Sequence, residues 1–248
     1  MISYGKTDVG RVRTANEDSF RISEGDDFVS AVICDGMGGV NGGSVASELA
    51  VCVYTDALFK EIGKSCTELT GQIIKSAMLY AVSEANRAVY KRAAENPELT
   101  GMGTTLVSCF VWRNRAFVVN VGDSRLYRLS GDETVQITRD HSYVQFLLDN
   151  GRITEKEAES HPDRNVITRA LGINSKVEPD FFMVEKFDGL LLCSDGFTNY
   201  VPGETMNTIL KSGATVKKKV NSLVQSANKG GGGDNITVIL LMREENDG

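Results

Sequence analysis

Short apolar runs separated by turn residues predict strands along much of the chain. The run FVSAVIC, residues 28–34, is almost unbroken and contains β-branched side chains, which is typical of a buried strand. Several such runs follow one another after Gly103, with turns expected at Asn114 and at Gly131-Asp132. The other expected strands cover residues 20–22, 104–112, 115–121, 125–129, 134–138, 181–184, 190–193 and 236–242.

Apolar residues at helical spacing predict helices between and after these strands. One helix is expected to follow Gly43, and a long one is expected over residues 69–94. Two more are expected over residues 204–211 and 215–228. Strands joined by turns, with helices gathered in pairs, favour an α+β fold with antiparallel sheets. Because repeats and low-complexity linkers are missing, the sequence predicts one domain over residues 1–248.

The segment 142–172 interrupts the strand pattern. A short helix is expected to open at Asp140 and to end at Gly151. Thr154 and Glu157 form a capping-box signature for a second brief helix. The remainder of the segment has no clean period. We therefore expect it to run over the surface as a flap.

Composition narrows the functional classes. The 248 residues are 41% hydrophobic and 24% charged, as in an ordinary globular protein that can bury a core. A net charge of −6 and a pI of about 5.1 argue against a nucleic-acid or anionic-membrane surface. The first residues form no apolar leader, and no run is long enough to span a membrane. Five cysteines without CxxC spacing suit core packing in a reducing compartment, so we expect a cytoplasmic protein.

Four aspartates stand beside glycine at the ends of apolar segments: Asp35, Asp123, Asp195 and Asp234. One such aspartate is more often part of a turn, but four are harder to explain in that way. Two carboxylates ~4 Å apart repel by roughly 4 kcal/mol at an effective dielectric of about 20, so a fold that gathers them must protonate or neutralise them. All-oxygen clusters suit Mg²⁺ or Mn²⁺, whereas the Cys/His spacing of zinc sites is missing. Two such ions about 3.5–4 Å apart can hold a bridging hydroxide in line with a phosphorus or carbonyl centre.

The glycine-rich segment after Asp35 has an alternative interpretation as a nucleotide-binding loop, since it follows a strand and precedes a helix. A GxGxxG fingerprint from Gly36 would need glycine at position 41, which is Asn41, and the Walker A lysine is missing. The segment Gly230 to Gly233 could equally be a flexible turn. The metal-site interpretation is therefore favoured.

Seven stretches together resemble the successive motifs of one enzyme family. They are TDVGRVRTANEDSF (7–20), ICDGMGG (33–39), MGTTL (102–106), VGDSRLY (121–127), RDHS (139–142), LLCSDG (191–196) and GGDNITV (232–238). Their order resembles that in the metal-dependent PPM, or type 2C, serine/threonine protein phosphatases, and they span essentially the whole chain. The DGMGG form is similar to the bacterial branch. The resemblance implies a four-layer αββα sandwich, two antiparallel β-sheets flanked by pairs of helices.

The resemblance also implies metal ligands at matching motif positions: Glu17, Asp18, Asp35, Gly36, Asp123, Asp195 and Asp234. Asp35, Asp195 and Asp234 would bind two core Mn²⁺ or Mg²⁺ ions directly. Gly36 would contribute its carbonyl oxygen as a further ligand.

Three other residues would complete this centre. Glu17 or Asp18, in the NED triplet, would hold a metal directly or through water. Asp123 would help to bind a third, weaker metal like that of bacterial relatives. Asn235 is expected to orient the loop of Asp234.

The implied reaction needs a phosphate-binding residue, a nucleophile and an acid. Arg13 would bind the substrate phosphate, because a guanidinium offers a fork of donors that matches phosphate oxygens; Arg11 is the alternative if the motif is shifted. The nucleophile would be a metal-bridging hydroxide that attacks the phosphoserine or phosphothreonine phosphorus directly, without a phosphoenzyme. Eukaryotic members have a histidine after DG, proposed as general acid, where this chain has Met37. His141 is a candidate acid or, alternatively, a structural residue.

The main hypothesis is a cytoplasmic, monomeric phosphatase that opposes a serine/threonine protein kinase. Its expected partners are phosphorylated proteins, including the kinase and its substrates, and neither nucleic acid nor a membrane. One alternative is a catalytically silent scaffold that binds a phosphoprotein without metal. Another is a phosphatase with the same chemistry that serves a single anti-sigma pathway.

Overall fold

Strands make up the centre of the structure, a computed structural model that describes residues 1–39, 42–64 and 68–244. They are β1 (Ile2–Asp8), β2 (Asp18–Glu24), β3 (Phe28–Met37), β4 (Gly103–Thr104), β5 (Leu106–Trp112), β6 (Arg115–Val121), β7 (Arg125–Ser130), β8 (Glu133–Gln136), β9 (Asp180–Glu185), β10 (Gly189–Cys193) and β11 (Ile236–Met242). One sheet has the order β1-β11-β10-β7-β8. The other has the order β2-β3-β5-β6-β9, with β4 paired to β3. All these pairings are antiparallel.

The described ranges also contain seven α-helices, of which two pairs cover the outer faces of the sheets. They are α1 (Gly42–Gly63), α2 (Gly71–Glu95), α3 (Tyr143–Asp149), α4 (Glu155–Glu159), α5 (Asp195–Thr198), α6 (Gly203–Lys211) and α7 (Val216–Lys229). α1 and α2 pack against the sheet that contains β3, while α6 and α7 pack against the sheet that contains β11. A third apolar cluster lies between the sheets. These layers confirm the predicted αββα sandwich. None of the helices in the described ranges is long and apolar enough to cross a membrane.

The unbroken apolar run of β3 follows from its position between two cores. Successive side chains of a strand point to opposite faces of the sheet. Val32 and Cys34 pack in the cluster under α1 and α2, while Ala31 and Ile33 pack in the cluster between the sheets. Because both faces are buried, apolar side chains are favoured at every position of this strand.

β1 was not predicted from the sequence pattern. It pairs with β11 from Ile2↔Met242 to Asp8↔Ile236. Its sequence, ISYGKTD, mixes polar residues with a glycine, which are weak strand signals. The glycine is required by packing, since a Cβ at Gly5 would lie 2.6 Å from Cε2 of Phe20. This strand depends on its partner more than on its own composition.

The segment 142–172, hereafter the flap segment, contains α3 and α4. The predicted helix opening at Asp140 is wrong: α3 begins at Tyr143, with Ser142 as its N-cap. The Asp140 carboxylate instead accepts hydrogen bonds from Arg125. The capping box formed by Thr154 and Glu157 is confirmed.

The flap segment leaves and rejoins the sandwich at adjacent points, hereafter the flap neck (141–143 and 166–168). Ser142 and Ile167 form an antiparallel bridge. The Tyr143 N–H donates to the Val166 carbonyl at 2.8 Å, and the Thr168 N–H donates to the His141 carbonyl at 2.8 Å. Both ends of the segment are therefore held together by backbone hydrogen bonds.

Candidate metal centre

Two of the predicted acidic residues face each other across a strand pair. The register of β2 and β3 places Asp18 directly opposite Asp35. Like charges in directly opposed positions destabilise a sheet. Asp18 is buried, with 7% of its surface exposed, and its Oδ2 accepts hydrogen bonds from Ser194 Oγ at 2.8 Å and Thr237 Oγ1 at 2.6 Å. The two hydroxyls hold this carboxylate in place but do not neutralise it.

The other acids reach the same region from different loops. Asp195 is the first residue of α5, and Asp234 lies two residues before β11. Their loops are in contact, since a Cβ at Gly196 would lie 1.9 Å from the Asn235 carbonyl oxygen. Asp195 Oδ2 accepts a hydrogen bond from Asn199 Nδ2 at 3.1 Å.

The electrostatics of this group are those of crowded, poorly solvated carboxylates. Burial, followed by the charges of Asp18 and Asp195, raises the pKa of Asp35 well above its ordinary range. Burial raises the pKa of Asp18 to about 7, against the opposing effect of its hydrogen bonds. Burial and the charge of Asp195 raise the pKa of Asp123 to about 8. Burial and the charge of Asp234 also raise the pKa of Asp195. A bound cation would relieve all of these costs.

Two buried carboxylate oxygens support that interpretation. Oδ1 of Asp18 and Oδ1 of Asp123 have no hydrogen-bond partner within the described residues. A buried, unpaired carboxylate oxygen is costly unless something binds it. No three Asp, Glu, His or Cys side chains in the described ranges are close enough to form a closed metal cage. The acids are thus electrostatic neighbours whose chemistry fits hard divalent cations, rather than a completed ligand shell.

Gly36 and Glu17 lie where β3 meets the start of α1. The Gly36 N–H donates to the Glu17 carbonyl at 3.1 Å. A Cβ at Gly36 would lie 2.1 Å from the Gly43 carbonyl oxygen, so only glycine permits this approach. A Cβ at Gly43 would lie 2.6 Å from Glu17 Oε1, which places the Glu17 carboxylate against the same backbone. Asn41, whose side chain breaks the rival nucleotide-loop fingerprint, lies outside the described residues.

The predicted phosphate-binding arginine is paired with one of the acids. Nη2 of Arg13 lies 3.0 Å from Oδ2 of Asp234, and this contact raises the pKa of Arg13. The Arg13 side chain is half exposed. Arg11, the alternative, donates its backbone N–H to the Gly232 carbonyl at 2.7 Å. Arg13 is therefore the arginine whose guanidinium contacts a candidate ligand.

Asn235, expected to orient the loop of Asp234, forms hydrogen bonds through both ends of its side-chain amide. Its Oδ1 accepts from the Glu17 N–H at 2.8 Å, while Nδ2 donates to the carbonyls of Val9 at 3.0 Å and Ala15 at 2.9 Å. The side chain therefore ties the loop of Asp234 to the loop that carries Arg13. Only the Asn235 backbone N–H contacts Asp234, at Oδ1.

Sequence reasoning did not single out the hydroxyl side chains that support the acids. Ser194 and Thr237 bond to Asp18, as described above. Thr105 Oγ1 accepts from the Asp35 N–H at 2.9 Å and lies 2.8 Å from Ser124 Oγ. Ser194 and Thr237 lie close in sequence to Asp195 and Asp234, which was the available signal, whereas Thr105 lies 70 positions from Asp35.

A cleft runs from these acids to the flap segment. Its walls include Asp123 and Asp195 together with Val144 and Gln145 of the flap segment. His141 is 8% exposed, and both of its ring nitrogens contact protein atoms. This favours the structural interpretation of His141 over the general acid.

The fold and the site together define a phosphatase of the type expected from the motifs. A family model described as Protein phosphatase 2C matches residues 10–231. The chain belongs to this family, which confirms the predicted family, fold class and enzyme class.

Individual relatives match along nearly their whole length. The chain is 44% identical over 241 residues to "Serine/threonine phosphatase stp" of Listeria innocua, a match that covers 96% of this chain and 94% of that protein. The crystal structure of serine/threonine phosphatase Stp1 from Staphylococcus aureus has a TM-score of 0.89 and 35% identity, covering 98% of this chain and 95% of that one. The catalytic domain of the phosphatase PstP, solved in complex with two manganese ions, has a TM-score of 0.81 and 36% identity, covering 96% of each chain.

Proposed function

We propose that this protein is a Mn²⁺- or Mg²⁺-dependent phosphatase that hydrolyses phosphoserine and phosphothreonine in phosphorylated proteins. The observation that carries the proposal is the convergence of four buried or half-buried aspartates whose pKa values are raised by burial and by each other's charge: Asp18, Asp35, Asp123 and Asp195. A group of this kind suits cations of high charge density. The manganese ions bound to the related PstP domain support the same choice of metal.

Two core ions would be held by Asp35, Asp195 and Asp234, with the carbonyl oxygen of Gly36. When bound, the ions supply charge neutralisation and a water activated for direct attack on phosphorus. Three segments present these ligands, the end of β3, the start of α5 and the loop before β11, so the rigid sandwich fixes their spacing.

Glu17, Asp18 and Asp123 would complete the centre. Asp18 is held by two hydroxyls on Oδ2 and keeps Oδ1 for a metal or a metal-bound water. Glu17 lies at the start of α1, beside Gly43. Asp123 stands in the cleft, where it would bind a third, weaker ion.

Arg13 would hold the substrate phosphate. Its guanidinium offers several N–H donors, one of which bonds Asp234. The remaining donors can reach phosphate oxygens while the arginine stays beside the ligand set. Met37 has no titratable group, and the ring nitrogens of His141 are engaged by Gly122 and Asp180. The leaving serine or threonine oxygen therefore takes its proton from water or from another residue.

We further infer a monomeric, single-domain enzyme over residues 1–248 that works in the cytoplasm and opposes a serine/threonine protein kinase. The flap segment lines the cleft and would contact the substrate protein. The described cysteines are unpaired thiols, as in a reducing compartment: Cys34, Cys52, Cys109 and Cys193. Cys66 lies outside the described residues.

The test measures hydrolysis of a small phosphate ester and of a phosphothreonine peptide, with and without Mn²⁺, in the wild type and in Asp195→Asn. We expect metal-dependent turnover that the substitution abolishes. Asp132→Asn is the matched control, because Asp132 lies in the β7–β8 turn with its side chain 95% exposed. Turnover that survives Asp195→Asn would show that the metal centre is misassigned. A folded, metal-loaded wild type without turnover would favour the phosphoprotein-binding scaffold.

A further inference from the structure

His141 forms two hydrogen bonds with a single glycine. Its backbone N–H donates to the Gly122 carbonyl at 2.9 Å, and its ring Nδ1 accepts from the Gly122 N–H at 3.0 Å. Asp123 directly follows this glycine in the sequence. Because His141 is almost fully buried, these bonds are shielded from competition by water.

The hydrogen bonds determine the tautomer of the ring. A backbone N–H can only donate, so Nδ1 carries no proton and Nε2 carries the proton of the neutral ring. Asp180 Oδ2, 3.2 Å from Nε2, is the acceptor for that proton. Nη1 of Arg169 lies near Nε2 but is itself a donor, and it bonds Asp180 Oδ1 at 2.9 Å. The Asp180–Arg169 pair therefore holds the ring with Nδ1 directed at Gly122.

The loop of Asp123 is held from its other side as well. Ser124 Oγ lies 2.8 Å from Thr105 Oγ1, which also accepts from the Asp35 N–H. Gly122 has a φ of +107°, and a Cβ there would lie 2.6 Å from Cγ2 of Thr105. This three-residue loop is thus clamped between the end of β3 and His141.

His141 also belongs to the flap neck. Its carbonyl accepts a hydrogen bond from the Thr168 N–H at 2.8 Å, which ties the returning end of the flap segment to the same residue. One side chain and its backbone therefore connect the flap segment, through Gly122, to Asp123.

We propose that His141 is a positioning residue for Asp123. Its ring acceptor fixes the Gly122–Asp123 backbone so that the unpartnered Asp123 carboxylate oxygen stays available in the cleft, and it couples this carboxylate to the flap neck. The proposal rests on the proposed function, because it takes Asp123 as a ligand of the third, weaker divalent ion.

Two amide substitutions test the contributions of the two ring nitrogens separately. His141→Asn keeps an acceptor near the position of Nδ1, whereas His141→Gln places its amide near the position of Nε2 and leaves the Gly122 N–H without an acceptor. Calorimetric titration of the metal-free proteins with Mn²⁺ reads the affinity of each site. We expect His141→Gln to weaken the weakest Mn²⁺ site about 10-fold, as loss of a supporting hydrogen bond around a metal ligand commonly does, and His141→Asn to recover most of that affinity.

The other histidine provides the matched control. Nδ1 of His161 also accepts a backbone N–H, that of Asp163 at 3.1 Å, but on the exposed surface of the flap segment. His161→Gln should leave every Mn²⁺ affinity unchanged. Asp123→Asn is the reference for complete loss of the weakest site.

The outcomes distinguish failure of the third-site role of Asp123 from failure of the positioning role of His141. If Asp123→Asn leaves Mn²⁺ binding unchanged, the third-site role in the proposed function is wrong. If Asp123→Asn removes the weakest site while His141→Gln has no effect, or if the Asn and Gln variants weaken it equally, the positioning role of the ring acceptor is overturned. If His141→Gln fails to fold, the ¹⁵N spectrum of the wild-type histidine ring tests the proposal instead. A protonated Nδ1, or an Nδ1 chemical shift that does not change during titration with Mg²⁺, would overturn it.

Discussion

Asp140 and Asp123 line the same cleft, but their carboxylates differ in the partners that they have within the described residues. The Asp140 carboxylate accepts hydrogen bonds from Nε and Nη2 of Arg125 at 2.6–3.0 Å, and Gln136 Nε2 adds another at 3.1 Å. Asp123, by contrast, has an oxygen without a partner among the described residues and a pKa raised to about 8 by burial. Both side chains are nearly inaccessible, so burial alone does not separate them.

The two carboxylates differ in the source of the positive charge beside them. Arg125 belongs to the chain, and Asp140 raises the pKa of Arg125 despite the opposing effect of burial, so the pair is complete when the protein folds. The carboxylates of the metal centre are left for a charge from outside the chain. Asp234 is intermediate, since Arg13 neutralises it at a half-exposed position. An ion pair supplied by the chain stabilises the fold, whereas a carboxylate without one provides a binding site.

The largest expected effect is on activity, from Asp35→Asn. The amide keeps the size of the side chain but removes one of the carboxylates that would hold the core ions. We expect the rate of phosphopeptide hydrolysis in Mn²⁺ to fall by more than about 100-fold, above the usual effect of losing a supporting residue. The metal-free protein should be at least as stable as the wild type, because a neutral amide relieves the repulsion that raises the Asp35 pKa. A retained rate combined with lower stability would place Asp35 with Asp140, as a structural residue.

For Asp140→Ala, by contrast, we expect a loss of stability. Removing one member of a buried pair leaves the Arg125 charge uncompensated, so we expect a loss of about 3 kcal/mol in the free energy of unfolding. Urea denaturation in the presence of chelator measures it. The double variant Asp140→Ala with Arg125→Leu should recover part of the loss. A loss below about 1 kcal/mol would mean that the pair contributes no more than a surface salt bridge.

A smaller effect is expected from pH. The folded protein binds protons at Asp18 and Asp123 up to pH values of about 7 and about 8, whereas the ordinary pKa of an aspartate is 3.8. Between these values the folded state holds protons that the unfolded state has released, so the free energy of unfolding falls as the pH rises. We expect the free energy of unfolding of the metal-free protein to fall between pH 5 and pH 8 by more than about 1.4 kcal/mol, the value of one pKa unit. Neighbouring acids share protons, so the loss is smaller than the sum of the separate pKa shifts.

Thermal unfolding with chelator and with Mn²⁺ tests this dependence. Mn²⁺ should remove the decline, because a bound cation favours the ionised carboxylates. A metal-free protein whose melting temperature rises over the same pH range would show that these acids are ionised and compensated within the chain.

The acids could be predicted from sequence because their signal is local. An apolar strand that ends in Asp-Gly is visible within about ten residues, as at Asp35 and Asp195. Their supporting contacts are not local. Thr237 bonds Asp18 across 219 positions, and Asn235 reaches Ala15 across 220. Such contacts join the two ends of the chain, where β1 pairs with β11, and the pattern of β1 is too weak to be predicted.

The same reasoning explains why Asp140 was misjudged. In the sequence, Asp140 resembles a helix cap as closely as Asp35 resembles a ligand, and both precede plausible helices. Only the position of Arg125, on β7 beside it, shows that the Asp140 carboxylate is committed to an ion pair. Whether a buried acid is structural or functional is therefore decided by tertiary partners.

The smallest expected effect comes from Arg13→Lys, which tests the intermediate case. Lysine keeps the charge near Asp234 but loses the planar fork that can bond Asp234 and a phosphate together. We expect KM for a phosphothreonine peptide to rise about 10-fold with stability almost unchanged, because the Arg13–Asp234 pair is partly exposed and screened by solvent. Arg11→Lys is the matched control, since Arg11 lies two residues away in the same loop. If Arg11→Lys raises KM and Arg13→Lys does not, the phosphate is held by Arg11, and Arg13 belongs with Arg125 as a partner supplied by the chain to stabilise a carboxylate.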